Sequence, residues 1–284
     1  MTDVIITGTG VPNAAPGRAG AGVLVRHGET LLQFDAGRAT VLRLVEAGVT
    51  CGELTSVFIT HHHSDHLTGL QDVLFTRWTE GHGNFTSLPV VAPLGPTTEF
   101  LDAMMTPWAA DIAIRQSHVG RTDRPDPEVI GFPTPAEPTV VWENADARVT
   151  AVAVHHEPVS PAMAYRVDTP DGAVVISGDT RVCDEVEQLS VGADVLIHEV
   201  FRTEFLRPFM EIVPHLADIA DYHADSVRLG EMAGRIGVPV LVLTHLIPQP
   251  RDERDEAALA AEVVGAGFGG ELIVARDLQK VSIG

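Results

Sequence analysis

Residues 58–70 read FITHHHSDHLTGL. An apolar run ends in four histidines and an aspartate within six residues, and a helical pattern follows at once. The run LTSVFIT reads as a strand and Leu67 to Trp78 as a helix, so this loop must sit at the C-terminal end of a strand that feeds a helix. From such a loop His61 and His63 can point their imidazoles at one spot, while Asp65 and His66 reach a second beside it. Neutral imidazoles and carboxylates are the ligands that a borderline cation such as zinc prefers. The competing reading is a polar turn rich in histidine, and the rest of the chain decides between them.

Before the loop, DVIITGTG, GVLVRHG and TLLQFDAG alternate β-branched runs with glycine turns and read as a strand meander. Ala39 to Ala47 is helical, with Gly48 as its stop. After the loop come the strand LPVVAP and a helix from Pro96 to Ala110. Residues 121–139 hold RPDPEVIGFPTPAEP, too proline-rich for a helix or a central strand, and read as a surface loop. Beyond it ARVTAVAV, AMAYRV and AVVISGD repeat the meander. They give way to DVLIHEVF, a helix near Ala220 to Ile236, PVLVLTH, a helix near Arg251 to Val264, and ELIVA. Because the meander returns, the proline-rich stretch is no linker, and residues 1–284 read as a single domain. Two strand-rich halves, each ending in helices, imply two mixed sheets packed face to face with helices outside, an αββα sandwich of the α/β class.

A chain of 284 residues buries a sufficient core without staples, and Cys51 and Cys183, far apart, read as ordinary thiols of a reducing compartment. The start MTDVIITGTG has neither a basic n-region nor a long apolar stretch, so no membrane partner and a cytoplasmic location are expected. The formal net charge is −20, which repels polyanions at long range.

Three further polar positions stand at the C-terminal ends of apolar strands: His155/His156 after VTAVAV, Asp179 after VVISG and His245 after VLVLT. Each alone is commonplace. Together they supply what a two-metal site lacks when only the loop is counted. The GTG tract at Gly8 to Gly10 has no downstream GK[ST] and reads as a turn.

With these motifs in place the chain resembles the metallo-β-lactamase-fold hydrolases, and within them the ribonuclease Z and arylsulfatase-like branch. GTGVPNAAPGRAGAGVLV, LLQFDAGRAT, THHHSDHLTGL, AYRV, ISGDTR, LIHEVF, YHADSVRLGEMA and LVLTH stand in that branch's order, from about residue 5 to 250. The resemblance implies His61, His63 and His156 as ligands of one metal, Asp65, His66 and His245 of the other, and Asp179 as the bridge. His156 is preferred to His155 because the branch's ligand precedes the short turn toward AYRV, and neighbouring strand residues face opposite sides. Two Zn²⁺ are implied, with Mn²⁺ or Fe²⁺ as substitutes. Ions so held, about 3.5 Å apart, lower the pKa of a shared water, which Asp65 would orient. The resemblance also implies His223 as proton donor to the leaving group, with Glu199 positioning it. His62, His155, His27, His82, His118, His198 and His215 have no matched role and are expected to be surface or structural.

The branch includes transfer-RNA 3′-end nucleases, arylsulfatases and small phosphodiesterases. Its nucleases carry a long arm between the third histidine motif and the bridging aspartate. Here 179 − 156 leaves 23 positions, room for a hairpin alone. With the acidic balance, this ranks a small-molecule ester, a sulfate ester or phosphodiester, above transfer RNA, and predicts no nucleic-acid partner. Lactone or acyl-ester hydrolysis and transfer-RNA cleavage are the alternatives, and a non-catalytic scaffold is disfavoured by the intact ligand set. Arg38 or Arg181 could neutralise a small anion. The branch implies a homodimer.

Overall fold

The computed structural model describes residues 1–81 and 85–284, so His82 lies outside the described residues. The first half of the chain contributes β1 (Thr2–Gly8), β2 (Gly22–His27), β3 (Thr30–Phe34), β4 (Ser56–Phe58), β5 (Pro89–Pro93) and β6 (Glu128–Phe132). The second contributes β7 (Thr139–Glu143), β8 (Arg148–Ala153), β9 (Met163–Thr169), β10 (Gly172–Ile176), β11 (Val195–Phe201), β12 (Val240–Ile247) and β13 (Glu271–Val274). β14 (Lys280–Ile283) returns to pair antiparallel with β1. The sheets run β14-β1-β2-β3-β4-β5-β6 and β13-β12-β11-β10-β9-β8-β7, seven strands each. Each is antiparallel at the meander and parallel beyond it, the switch falling at β3/β4 in one and at β10/β11 in the other. Loops at the C-terminal ends of parallel strands are where α/β sheets place their sites.

Alternation of apolar side chains sorts the core into three layers. Between the sheets lie Phe34, Phe58, Tyr165, Val174 and Ile197. Leu44, Val73, Leu74, Trp78 and Leu101 pack α1 (Thr40–Glu46), α3 (Leu70–Glu80) and α4 (Pro96–Ala103) on the outside of the first sheet, beyond the short α2 (Ser64–Leu67). Val186, Leu229, Met232, Leu259 and Val263 belong to the layer outside the second sheet, on α6 (Asp184–Leu189), α9 (Ser226–Ile236) and α10 (Glu253–Gly265). The architecture is the expected αββα sandwich of two mixed sheets. No helix among the described residues is long and apolar enough to cross a membrane.

Four local expectations need correction. The proline-rich stretch 121–139 is not all loop: β6 pairs parallel with β5 as the edge of the first sheet. Pro127 and Pro133 flank that strand without entering it, and an edge position tolerates such neighbours. The helix expected over Pro96 to Ala110 is interrupted: a single turn at Thr106–Trp108 follows α4, and α5 (Ala109–Val119) then begins. Pro107 has no N–H to continue the ladder. The helix expected from Ala220 begins only at Ser226, because the Asp225 carboxylate caps it, accepting from the amides of Val227 and Arg228 at 3.1 and 3.0 Å. His223 therefore sits in the loop ahead of α9, while α7 (Thr203–Met210) and α8 (His215–Ala220) fill the excursion before it. Finally, β14 is a strand where none was expected; it carries only two half-buried apolar side chains, Val281 and Ile283, too short a signal to stand alone.

Candidate metal centre

The histidine loop is held from behind by Asp35, which follows β3. Its carboxylate accepts from the Thr60 amide at 2.8 Å, the Thr60 hydroxyl at 2.9 Å and His66 Nδ1 at 2.7 Å. The amide of Ala36 donates to the carbonyl of His66, and that of Gly69 to the carbonyl of Ala36, so the turn after β3 grips the turn after α2. Such closeness needs glycine: a Cβ on Gly37 would lie 2.2 Å from the Asp65 carbonyl oxygen, and one on Gly69 1.9 Å from that of Gly37. Asp35 has a φ of +55°, a conformation costly for a non-glycine residue and kept here by its three hydrogen bonds. Across the interface the buried Tyr165 hydroxyl donates to the Ile59 carbonyl at 2.7 Å, pinning the entry to the loop from the second sheet.

The second half brings its residues singly. His156 lies past the end of β8 and Asp179 past the end of β10. His245 sits on a β-bulge within β12: Glu199 pairs with Thr244, yet Val200 pairs with Leu246, leaving His245 the extra residue at a φ of +43°. A bulge turns a side chain that regular alternation would direct elsewhere.

Three overlapping donor groups result among the described residues, one of them Asp179, His223 and His245, and the other two fall on the expected ligands. His61, His63, His156 and Asp179 have ligand atoms within 4.8 Å of one another, and so do Asp65, His66 and His245. In the first group His63 Nδ1 lies 3.0 Å from His61 Nε2 and 3.2 Å from His156 Nε2. Both Nε2 atoms lie 3.9 Å from Asp179 Oδ2. In the second, His245 Nε2 is 3.3 Å from Asp65 Oδ2 and His66 Nε2 is 3.7 Å from it. Asp179 Oδ2 faces these two nitrogens as well, at 3.3 and 3.4 Å. Metal–ligand bonds of 2.0–2.1 Å give a tetrahedron with edges of about 3.3–3.4 Å, so the second group has nearly the spacing of a closed cage.

The electrostatics fit a cation. Burial, with the charge of His66, holds the His61 imidazole well below its ordinary pKa, and burial likewise lowers His63 and His156. For Asp65 and Asp179 burial alone would raise the carboxyl pKa. The His245 hydrogen bond at Asp65, and the charges of His245 and His66 at Asp179, outweigh it, leaving both lowered. Neutral imidazoles and ionised carboxylates are the ligating forms. His66 differs: Asp179 and Asp35 overcome its burial and raise it well above the ordinary value, so metal binding there displaces a proton. The unbonded, buried Nε2 of His66 is what an ion would satisfy.

Beside the cluster, Glu199 Oε1 accepts from His223 Nδ1 at 2.7 Å and from the Thr180 amide at 2.9 Å. Burial pushes the His223 pKa down, but the Glu199 charge and hydrogen bond outweigh it and raise the pKa. Tyr222, which precedes His223, accepts from His156 Nδ1 at 3.2 Å through its carbonyl, and its ring lies 5.1 Å from both imidazoles.

All seven expected ligands, with His223 and Glu199, thus converge. Asp35, Thr60, Tyr222 and Tyr165 were not singled out in the sequence, although the aspartate of FDAG stood within a quoted motif. His62 is exposed against Phe100, and His155 is bonded to Glu157 and Glu185 at the rim. His118 and His215 are exposed, and His27 is bonded to Thr2 and Asp171. His198 is fully buried, with Nδ1 donating to the Glu199 carbonyl at 2.8 Å. Arg38 is committed to the carbonyls of Val11 and Pro12, whereas Arg181 is half exposed, 3.7 Å from Glu157.

Residues 34–246 match the family model of the beta-lactamase superfamily domain. The chain is 34% identical over 286 residues to a protein named ribonuclease Z from Mycobacterium bovis (strain BCG / Pasteur 1173P2), covering 100% of this chain and 99% of that one. A ribonuclease Z from Mycolicibacterium gilvum is 34% identical over 288 residues, covering 100% and 96%. Among solved structures, the metallo-beta-lactamase fold protein YhfI from Bacillus subtilis superposes with a TM-score of 0.74 at 20% identity, over 99% of this chain and 98% of that one. The short form of human tRNase Z does so with a TM-score of 0.71 at 21% identity, over 99% of both.

These relatives overturn the expectation of a small-molecule ester substrate and no nucleic-acid partner. Both arguments for it fail on inspection. The β9–β10 hairpin does replace a long arm, but relatives that align end to end over 286 residues have no room for one either. Net charge, for its part, is a whole-molecule quantity that omits bound cations, often the largest local charges at such a site.

Proposed function

The chain belongs to the beta-lactamase superfamily and is a hydrolase of the metallo-β-lactamase fold, and from that premise we propose that it cleaves the phosphodiester backbone of RNA at the 3′ end of precursor transfer RNA. The observation that carries this reading is the end-to-end 34% identity to proteins named ribonuclease Z, in a chain whose seven donors are all in place.

In this reading His61, His63 and His156 hold one divalent cation, Asp65, His66 and His245 a second, and Asp179 serves both. Zinc suits a donor set of imidazoles and carboxylates without thiolate, and manganese or iron could replace it. Bound there, such ions would supply an acidified water and charge neutralisation at the phosphoryl oxygens. The chain supplies the rest. Asp65, kept ionised by its surroundings, orients the attacking water and accepts its hydrogen bond. As the bond from that oxygen to phosphorus forms, the bond from phosphorus to the leaving ribose oxygen breaks, and that alkoxide needs a proton. His223 gives it: Glu199 occupies Nδ1, which leaves Nε2 to carry the transferable proton, and the Glu199 charge and hydrogen bond, outweighing burial, favour the charged imidazole.

The test is a precursor transfer RNA with a 3′ trailer, incubated with zinc- or manganese-loaded protein. A single cut that releases the trailer, abolished by a chelator and restored by metal, is expected. Intact RNA under conditions where the same preparation turns over a nitrophenyl phosphodiester would overturn the reading.

A further inference from the structure

A metal-bound imidazole nearly always donates its second N–H to a fixed acceptor, which sets its tautomer and orientation. Three buried histidines of the centre meet this rule: His61 Nδ1 has the Thr60 hydroxyl at 2.9 Å, His66 Nδ1 has Asp35 at 2.7 Å, and His156 Nδ1 has the Tyr222 carbonyl at 3.2 Å. The fourth, His245, turns Nε2 to the carboxylates and leaves Nδ1 buried without a partner from the protein. A buried N–H in that position costs about 1–3 kcal/mol if nothing accepts it.

A second buried atom close by is also unpartnered. Glu199 uses Oε1 for His223 and Thr180, while its Oε2 is bonded to nothing in the protein, though the residue is only 1% exposed. Glu199 and His245 line the same small cavity of about 30 Å³, whose walls come from both sheets and include Asp35, His66 and Asp179. Room for one water requires roughly 10–15 Å³ and two or more polar partners. The hydroxyl-bearing residues Thr244 and Ser177 line the cavity too.

The geometry points to a fixed water in this cavity, accepting from His245 Nδ1 and donating to Glu199 Oε2. Glu199 is then a positioning residue for two groups at once. Through one oxygen it holds the proton donor, and through the other, by way of the water, it orients a metal ligand. The bulge follows the Glu199–Thr244 pair directly, so His245 is the unpaired residue next to the partner of Glu199 and lines the same cavity. The inference rests on the metal-site reading but not on the identity of the RNA substrate.

The experiment measures zinc affinity by chelator competition for wild type, Glu199→Gln and His223→Ala, with the melting temperature of each metal-free protein as the fold control. Glu199→Gln puts an N–H donor where the water needs an acceptor. It should weaken the more labile zinc about 10- to 100-fold, while His223→Ala, which removes only the other arm, stays within about twofold of wild type. The conservative Glu199→Asp, acting through a shorter reach, should recover part of the loss. Equal zinc affinity in wild type and Glu199→Gln overturns the inference. So does a high-resolution crystal structure of the zinc-loaded wild type in which the cavity is dry; that measurement decides the matter even if Glu199→Gln fails to fold.

Discussion

The two halves of the chain build one centre by opposite means. The first half places four donors close together after β4, His61 and His63 in the loop and Asp65 and His66 in the short α2 that it runs into. The second contributes His156, Asp179 and His245 one at a time, from the ends of β8 and β10 and from the bulge in β12. A dense loop needs one clamp, and Asp35 is that clamp. Dispersed ligands need the register of a whole sheet. The first half thus carries the adjacent donors, while the second carries the dispersed ones that complete them, together with the His223–Glu199 pair.

Asp179 is where the halves meet, and its substitution gives the largest effect. Asp179→Ala removes the oxygen that lies within 3.9 Å of the donor nitrogens of His61, His66, His156 and His245, across both groups. Metal content should fall below one ion per chain, and activity by roughly 10⁴-fold or more, equivalent to above 5 kcal/mol of barrier. A variant that keeps a full metal complement would break the comparison, since the loop would then be self-sufficient.

His223→Ala should keep its metals, because His223 acts from beside the donors. Its rate loss should be about 10²- to 10⁴-fold for an alkoxide leaving group and much smaller for a nitrophenolate, which needs no proton. The check is a plot of log rate against leaving-group pKa: a steeper slope than wild type supports proton donation, and parallel lines would remove His223 from that role. A smaller effect belongs to the clamp. Asp35→Asn keeps the shape but weakens the hold on His66, and metal affinity should drop about 10- to 100-fold in a chelator titration. Smaller still, Tyr165→Phe strips the hydroxyl that ties Ile59 to the second sheet and should cost about 1 kcal/mol, read as a shift of a few degrees in melting temperature.

The same contrast explains what could be read without the structure. The loop announced itself because its ligands are adjacent in sequence, and His155/His156, Asp179 and His245 were visible because polar side chains interrupt apolar strands. Nothing in the sequence marks the bulge that turns His245, since it arises from the pairing of β11 with β12. Asp35 looked like any residue at a strand end, and the carbonyl of Tyr222 has no side-chain signal at all. The expectation against a nucleic-acid partner fails for a related reason: net charge is a sum over the whole chain, whereas recognition is local.

The most direct test is anomalous diffraction at the zinc absorption edge from crystals of the zinc-loaded protein, with elemental analysis of the same sample. The account predicts two peaks on either side of the Asp179 carboxylate, one facing His61, His63 and His156 and the other facing Asp65, His66 and His245. A single peak confined to the loop of the first half, or none near Asp179, would contradict it.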